Sequence, residues 1–347
     1  MSQFGKPEIS VIVVNWNRRD LLRRCLASLS RQSASRFEVI LVDNGSEDGS
    51  VAMARELFGA RLPLHVIQNR TNRGFCAANN QGIAAAQGAF IALLNNDAEA
   101  RPGWLSALRQ AFDGRPEVGM AASKILVMDD PQRIDKVGHL IYPDGQNRGR
   151  GSGEPDLGQY DRLEEVLWPD GCAAMYRRSM LDEIGGFDED FFAYGDDAEL
   201  GLRARIAGWR CLYVPEAVVL HHRAATLGIS SARRLELIER NRLLLAVKLF
   251  PWSLLVLNPF YYAARLAAGL WAAAHETGEL ARYAGPQGKL RAALALLKGD
   301  LTALPLLPRM LLKRRRVRRL ARLSAAELRR LILAHRITLR QMMEQAA

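Results

Sequence analysis

The first hundred residues alternate between short apolar runs and longer amphipathic stretches, and this alternation restricts the fold more than any other feature. Four runs rich in Val, Ile and Leu predict buried parallel strands, over Ile9–Val14, Phe37–Val42, Leu64–Gln68 and Ala89–Leu94. Helical spacing occupies the stretches between them, over Asp20–Ser30, Ser50–Phe58 and Cys76–Ala86. The alternation predicts βαβ units and an α/β fold whose sheet is doubly wound and mostly parallel.

Polar side chains follow each predicted strand at the point where it ends. They are Asn15 and Asn17 after the first strand, Asp43 after the second, Asn72 and Arg73 after the third, and Asn96 and Asp97 after the fourth. Open α/β sheets bind ligands in the crevice beyond the carboxyl ends of their strands. The polar strand ends therefore predict one ligand site at that edge of the sheet.

Two of these strand ends suit a nucleotide. The carboxylate of Asp43 could accept the imide N–H of a uracil or thymine ring, although an Asx-turn followed by a helix capped by Asp48 gives the same pattern. Gly74 opens the third predicted helix, where a ribose or phosphate could approach the backbone. A plain turn is the alternative there.

A metal site is predicted from Asp97 and a histidine. A carboxylate just past an apolar strand can ligate Mg²⁺, which prefers one or two protein carboxylates together with phosphate oxygens and water. A capping Asp before a helix near Pro102 is the alternative. His221 and His222 follow the strand-like run 217–220, and neighbouring strand residues point to opposite faces. At most one of them faces the crevice, as a metal ligand or as a structural histidine.

The segment 191–200 contains the sharpest local signal, because three carboxylates lie within four residues behind aromatic side chains. These are Asp196, Asp197 and Glu199, at the start of a helix predicted over Asp196–Ala207. A helix dipole compensates one or two of them by ~0.3–1 kcal/mol each. Three together favour a general base held near an acceptor.

The middle of the chain has a looser pattern. Between Val118 and Gly171, the turn-rich segment Tyr142–Gly145 predicts a hairpin and Gly149–Gly153 predicts a mobile loop. Apolar strands resume at Asp170–Tyr176 and at Arg210–Val214.

After about residue 230 the pattern becomes entirely helical. Residues 253–274 are nearly apolar and long enough to span a bilayer, which takes ~20 residues. Asn258, Pro259 and Arg265 interrupt this run, which favours kinked helices in a membrane interface. A transmembrane hairpin formed with Leu294–Leu312 is the alternative.

Charge is concentrated at the C-terminal end. The net charge is +11, yet the chain from Arg240 onwards has 20 Lys and Arg against 5 Asp and Glu, a net of +15. The run Lys313–Arg319 beside an apolar segment suits anionic lipid headgroups. RNA is the other anionic partner, but no aromatic residue is interleaved with the run, so no nucleic-acid partner is predicted.

The start of the chain and its cysteines predict a cytosolic protein. Residues 1–8 have no apolar signal-peptide core. The four cysteines form no C-x-x-C pair, so neither a disulfide framework nor a zinc knuckle is expected.

In their order and spacing these motifs resemble bacterial family-2 glycosyltransferases with a GT-A fold, particularly rhamnosyltransferase-like members. The resemblance covers roughly residues 8–250, and its motifs are Val14–Asn17, Val42–Ser46, Asn72–Phe75, Leu94–Asp97, Gly171–Ala173, Tyr194–Asp197 and His221. It implies a GT-A catalytic domain over residues 1–228. A helical, membrane-associating extension follows over residues 229–347.

The resemblance also implies roles for individual residues. The nucleotide sugar would be bound by Asn15, Asn17, Asp43, Asn72, Arg73, Gly74 and Asn96. Asp97 and His221 would hold Mg²⁺ or Mn²⁺, and Asp197 would act as the base with Asp196 beside it. Acceptor contacts would come from Trp168, Gly171, Cys172 and Tyr194.

The chain departs from the family pattern at three places. The D-x-D motif is reduced to Asn95-Asn96-Asp97, and the Glu-Asp pair is Asp196-Asp197. Ala224 and Thr226 replace the glycine and serine that follow the metal-binding histidine in the family.

The implied activity is inverting transfer of a sugar, with L-rhamnose from dTDP-rhamnose as the expected donor and UDP-linked sugars as the alternative. The acceptor would be a glycan or a lipid-linked glycan of the cell surface, reached from a peripheral or monotopic position at the inner face of the cell membrane. A weakly active membrane scaffold or a nucleotide-binding protein with a basic tail is the rival hypothesis. A dinucleotide-binding oxidoreductase would need a G-x-G-x-x-G turn, and residues 15–19 contain no glycine.

Overall fold

The computed structural model describes residues 6–33, 36–222, 231–275, 277, 283 and 285–344. Its first seven elements alternate strand and helix, and their bounds lie within two residues of the predicted ones. They are β1 (Ile9–Asn15), α1 (Arg19–Leu29), β2 (Phe37–Asp43), α2 (Ser50–Phe58), β3 (Leu64–Gln68), α3 (Gly74–Ala85) and β4 (Phe90–Leu94).

The next part of the chain contains more strands than the sequence predicted. Its elements are β5 (Ala98–Ala100), α4 (Trp104–Gln110), β6 (Val118–Val127), β7 (Asp130–Lys136), β8 (His139–Ile141), β9 (Asn147–Gly149), β10 (Glu164–Val166), β11 (Ala173–Arg177), α5 (Arg178–Ile184), α6 (Asp196–Ile206) and β12 (Arg210–His221). The predicted hairpin is β8–β9. The buried strand β6 lies where the sequence indicated only irregular structure.

One mixed sheet runs through this unit, in the order β10-β12-β6-β11-β4-β1-β2-β3. The β4-β1-β2-β3 half is parallel, as predicted. The prediction of a mostly parallel sheet is wrong for the other half, because β11 pairs antiparallel with both β4 and β6. The residues just before β11 therefore reach the same sheet edge as the carboxyl end of β4, where Asn95 N–H donates to Cys172 C=O at 2.8 Å.

Alternating side chains of the strands form two cores, one on each face of the sheet. Val11, Val13 and Leu41 pack in the cluster that includes α1 and α4. Ile12 and Ile40 pack in the other cluster, which includes α6 and the C-terminal helices. The C-terminal helices therefore share a hydrophobic core with the sheet.

The remaining chain is helical. Its elements are α7 (Ala232–Leu249), α8 (Trp252–Leu255), α9 (Asn258–Ala274), α10 (Gly285–Ala303), α11 (Leu307–Leu320), α12 (Ala325–Ala334) and α13 (Leu339–Glu344). Across the described ranges, no helix combines the length and the apolar character needed to cross a bilayer. The domain boundary at residue 228 stays a prediction, since residues 223–230 lie outside the described ones.

Buried ion pairs attach these helices to the unit that contains the sheet. Lys248 Nζ of α7 lies 2.6 Å from carboxylate oxygens of both Asp188 and Glu199. In α11, Lys313 pairs with Asp188 and Asp190. Lys313 is the first residue of the predicted basic run. At least one cation of this run therefore forms ion pairs within the protein.

Candidate active site

A cavity of about 1110 Å³ lies at the carboxyl ends of the parallel strands. Its walls come from the end of β4, the β8–β9 hairpin, the segment before α6, and helices α7, α9 and α10. Asn96, Asp97, Asp197 and His221 all line it. The structure therefore brings together the predicted metal ligands and the predicted base, although they are far apart in sequence.

Asp97 and His221 lie side by side on neighbouring chain segments. Strand β5 pairs with β12 so that His221 is opposite Ala98, and His222 N–H donates to Asp97 C=O at 2.9 Å. His221 Nε2 lies 3.5 Å from Asp97 Oδ1, and its other ring nitrogen, Nδ1, lies 2.7 Å from Asp135 Oδ2. A carboxylate behind a histidine in this way orients the ring of metal-binding histidines.

The protonation of His221 depends on its neighbours. Burial opposes a positive charge on the ring, but the Cys172 sulfur and the carboxylates of Asp135 and Asp97 outweigh it and hold the pKa of His221 well above its ordinary value. A cation is thus favoured between these carboxylates. A bound metal ion would supply that positive charge in place of the proton.

A second group of possible ligands lies on the same cavity wall. His139, Asp170 and Asp197 each offer one ligand atom, and these atoms lie within 4.8 Å of one another. His139 Nε2 is 2.9 Å from Asp170 Oδ2 and 3.4 Å from Asp197 Oδ2. Lys136 Nζ is 2.6 Å from the same Asp170 oxygen.

The Asp97–His221 pair fits a divalent cation better than this second group does. Among the described residues, Asp97 Oδ1 is buried without a hydrogen-bond partner, so a ligand-capable atom is unused. Two ligands at right angles on an octahedral ion with bonds of ~2.1 Å lie ~3 Å apart, close to the spacing between His221 Nε2 and this oxygen. In the second group, Asp170 Oδ2 is already contacted by an ammonium and an imidazole.

Asp196 and Asp197 begin α6 and both line the cavity. Burial and the neighbouring Asp197 charge raise the pKa of Asp196 well above its usual range. Burial also raises the pKa of Asp197, although His139 and Lys136 oppose that shift while Asp170 adds to it. The two carboxyls are therefore in different environments, and Asp197 is the one beside Lys136 and His139.

Asp170 keeps its negative charge in this setting. Burial alone would raise the pKa of Asp170, but Lys136 and His139 outweigh that effect and hold the pKa well below the ordinary value. Asp170 in turn holds His139 and Lys136 beside Asp197. Backbone N–H groups also hold Asp197, from Ala198 at 2.8 Å and from Gly171 at 3.4 Å.

Asp43 and Asn15 lie behind the cavity wall. Asp43 accepts hydrogen bonds from Asn15 Nδ2 at 3.0 Å and from the hydroxyl and backbone N–H of Ser46 at 2.6 and 2.9 Å. Asn96 Nδ2 donates to Asn15 Oδ1 at 2.7 Å, so a chain of hydrogen bonds joins the cavity to Asp43. The expectation that Asp43 lines the same cavity as Asp97 and Asp197 is wrong, because Asp43 is not among the lining residues. Both of its oxygens instead accept hydrogen bonds that hold the strand ends together.

The other predicted nucleotide ligands lie in different places. Asn72 lines the cavity, whereas Arg73 and Asn17 do not. Asn17 Oδ1 accepts a hydrogen bond from the backbone N–H of Glu47, which ties the β1–α1 loop to the β2–α2 loop. Gly74 has φ +84°, and an added Cβ would lie 2.5 Å from the Phe192 ring. The Phe192 ring therefore requires a glycine at this position. The sequence alone did not indicate this reason for Gly74.

Of the predicted acceptor residues, Gly171, Cys172 and Tyr194 line the cavity. Trp168 is completely buried, and its side chain packs where a Cβ on Gly201 would lie 2.2 Å away. Its ring stacks on His139 at a centroid distance of 5.9 Å. Trp168 therefore packs behind His139 and does not line the cavity.

Several residues of the site were not predicted. These are Asp135, Lys136 and His139 at the end of β7 and the start of β8, Asp170 before β11, and Asn241 of α7. Asn241 Nδ2 faces the carbonyl oxygens of Phe191, Ala193 and Tyr194 at 2.6–2.9 Å. The Asp170-Gly171-Cys172 run was visible in the sequence, but only as the start of a strand.

The chain is similar to known glycosyltransferases. The family model for glycosyl transferase family 2 matches residues 10–185. An N-acetylglucosaminyl-diphospho-decaprenol L-rhamnosyltransferase of Mycobacterium tuberculosis is 31% identical over 258 residues, covering 65% of this chain and 80% of that protein. A pre-mycofactocin glycosyltransferase of the same organism is 29% identical over 230 residues, covering 65% of this chain and 45% of that protein.

Two solved structures share the fold. The mannosyltransferase PcManGT from Pyrobaculum calidifontis, in complex with GDP-Man and Mn²⁺, has a TM-score of 0.51 at 20% identity, and the match covers 91% of this chain and 86% of that one. GalNAc-T7 with UDP, GalNAc and Mn²⁺ has a TM-score of 0.52 at 17% identity, and the match covers 61% of this chain and 42% of that one.

The fold and the site together define a glycosyltransferase with a GT-A-like architecture. The chain belongs to glycosyl transferase family 2.

The two candidate metal sites can be separated by Mn²⁺ titration of the purified protein. We expect Asp97→Asn and His221→Ala to weaken Mn²⁺ binding strongly, and Asp135→Asn to weaken it by ~10–100-fold through loss of ring orientation. His139→Ala, as the matched change in the other group, should leave the affinity nearly unchanged. Electron paramagnetic resonance of free Mn²⁺ measures this directly. The reverse ranking would assign the ion to His139, Asp170 and Asp197.

Proposed function

We propose that the protein is an inverting rhamnosyltransferase that transfers L-rhamnose from dTDP-rhamnose to a saccharide carried on a polyprenyl diphosphate, in the synthesis of a cell-envelope polysaccharide. The observation that carries the proposal is the 31% identity to an L-rhamnosyltransferase named for a diphospho-decaprenol-linked acceptor, over 80% of that protein. The cavity supports it, because Asp97, His221 and Asp197 face one space.

The proposed role of Asp197 is that of general base. Its carboxylate takes the proton of the acceptor hydroxyl while that oxygen attacks the anomeric carbon from the side opposite the leaving nucleoside diphosphate. His139 and Lys136 favour the ionised form of Asp197 against the effect of burial, and Gly171 N–H helps to orient it. Asp97 and His221 would hold a divalent cation, Mg²⁺ or Mn²⁺, which neutralises charge on the diphosphate when it is bound.

The base can be tested with neighbouring variants. Asp197→Asn should lower kcat by ~10²–10⁴-fold, because an amide cannot take the proton, while the Kd for dTDP-rhamnose changes little. Asp196→Asn should cost much less, since the raised pKa of Asp196 already favours the protonated form of that group. Transfer assays and calorimetric donor titrations measure both effects. Wild-type turnover by Asp197→Asn would contradict the assignment.

The pH dependence of kcat follows from the pKa of Asp197. Because the base acts ionised and its pKa is raised, kcat should fall as the pH drops through that raised pKa, above the ordinary aspartate range of ~3.9. His139→Gln removes a group that lowers this pKa, so the acidic limb should move to higher pH. His65→Gln, at an exposed histidine, is the matched control and should leave the profile in place. A limb that stays or moves to lower pH in His139→Gln would be inconsistent with the proposal.

We also propose that the C-terminal helices bind the inner face of the cell membrane peripherally. Support comes from large apolar side chains that are exposed on α8 to α11, among them Trp252, Val256, Phe260, Leu270, Trp271 and Leu312. On α10, Leu290, Leu294, Leu297 and Leu301 are each more than half exposed, and their spacing places them on one helix face. Arg315, Arg316 and Arg319 of α11 are exposed nearby in sequence and could contact anionic headgroups.

Vesicle flotation tests this proposal. Changing Leu290, Leu294 and Leu301 to Gln should lower the bound fraction on neutral and anionic vesicles alike. Changing Arg315, Arg316 and Arg319 to Gln should lower it only on anionic vesicles and only at low salt, because salt screens exposed charges. Leu157 and Leu163 are exposed apolar residues of the catalytic unit, and their change to Gln is the control. Equal binding by all variants would reject membrane contact through α10 and α11.

A further inference from the structure

The cavity continues from the catalytic carboxylates into an apolar arm between α7, α9 and α10. The arm is lined by Leu235, Ile238, Leu266, Ala273, Leu296 and Leu297. Helices α9 and α10 run antiparallel along it, since Tyr262 Oη donates to Asp300 at one end and Lys289 Nζ donates to Ala273 C=O at the other. A nucleotide sugar has no apolar part of this extent, so the donor does not account for the arm.

The apolar arm opens at the exposed apolar surface of the same helices. Leu270 and Leu297 line the cavity and are also 69% and 55% exposed. Leu297 belongs to the exposed leucine face of α10 described above, which also includes Leu290 and Leu294. The apolar arm thus joins the proposed membrane-facing surface to the site of transfer.

Cationic side chains of α7 and α10 also line the cavity. Among them are Arg233 and Arg234 of α7, and Lys289 of α10, which contacts Ala273 at the end of α9. The Arg234 guanidinium lies 5.7 Å from the centre of the Tyr194 ring, which brings α7 close to the segment before Asp196. Arg233 and Lys298 both pair with the single carboxylate of Glu236. These three side chains together therefore keep a net positive charge. The start of α7 therefore places positive charge close to the segment before Asp196.

The charge of Arg265, which also lines the cavity, is compensated within the protein. Its guanidinium lies 2.5 Å from Asp144 and 2.7 Å from Glu239. This cation is thus neutralised by two buried carboxylates, and the arm beyond it presents mainly apolar side chains.

We propose that the apolar arm binds the hydrocarbon chain of the lipid-linked acceptor, with Arg233 of α7 beside its diphosphate. This inference rests on the proposed function, because it assumes an acceptor carried on a lipid. Such an acceptor has a sugar, a diphosphate and an apolar chain in that order. The cavity offers a carboxylate base, cationic side chains and an apolar channel that leads to an apolar surface.

A channel-filling variant tests the proposal. Ala293 lines the cavity from α10 and is exposed, so Ala293→Phe narrows the arm without overpacking a core. Ala267→Phe is the matched control, at an exposed alanine of α9 that does not line the cavity. Each variant is assayed with two acceptors that carry the same sugar diphosphate, one on a long polyprenyl chain and one on a short alkyl chain.

We expect Ala293→Phe to raise the KM for the long-chain acceptor roughly tenfold with kcat unchanged, because the lost contacts bind ground state and transition state alike. The short-chain acceptor and the Ala267→Phe control should show wild-type values. An equal effect of Ala293→Phe on both acceptors, or no effect on either, would overturn the proposal. Failure of the wild type to transfer rhamnose to either acceptor would instead count against the proposed function.

Photo-crosslinking examines the arm without requiring turnover. A polyprenyl diphosphate with a photoreactive group on its chain should label peptides of α9 and α10, and Ala293→Phe should reduce that labelling while Ala267→Phe does not. Labelling confined to other parts of the chain would overturn the proposal even if transfer is observed.

Discussion

The site depends on the burial of several carboxylates around one cavity. Asp97, Asp135, Asp170 and Asp196 are each less than a tenth exposed, and Asp197 lies among them. Burying unpaired charge is costly, so the surrounding structure has to supply cations or protons. Lys136 and His139 compensate Asp170, and His221 compensates Asp135. Burial and the neighbouring Asp197 charge dominate the environment of Asp196, and its pKa rises. The adjacent carboxyls of Asp196 and Asp197 therefore differ in their electrostatic environment, because Lys136 and His139 act on Asp197.

Local patterns predicted the half of the fold in which the strands are short runs rich in Val, Ile and Leu, separated by helices. They failed at β6, where Gly119, Ser123 and Lys124 interrupt the apolar pattern. The two polar side chains find their partners in other segments of the chain. Ser123 accepts a hydrogen bond from Trp104 Nε1, and Lys124 pairs with Asp156 and Asp161. A lysine in a sequence indicates a solvated position until its partners are known. For the same reason Lys136 and His139 could not be identified, because their importance comes from contact with Asp170.

The candidate site shows the same division between position and role. The ends of parallel strands meet at one edge, so the sequence could place Asp97 near the site. The sequence could not predict the roles of residues that depend on tertiary contacts. Asp43 is held by Asn15 and Ser46, and Gly74 is required by the ring of Phe192. Strand direction also mattered, because the antiparallel β11 delivers Asp170 to the carboxyl ends of parallel strands.

Helix α7 connects the catalytic end of the cavity with its apolar arm. Phe192 and Tyr194 have φ values of +63° and +67°, and a sparsely populated conformation of this kind costs a non-glycine residue ~1–3 kcal/mol and needs support from its surroundings. Asn241 of α7 supplies it through the carbonyl oxygens of Phe191, Ala193 and Tyr194, immediately before Asp196 and Asp197. The same helix contributes Leu235 and Ile238 to the arm. A chain bound in the arm would therefore contact the element that holds the proposed base in position, so the C-terminal helices belong to the site as well as to the proposed membrane surface.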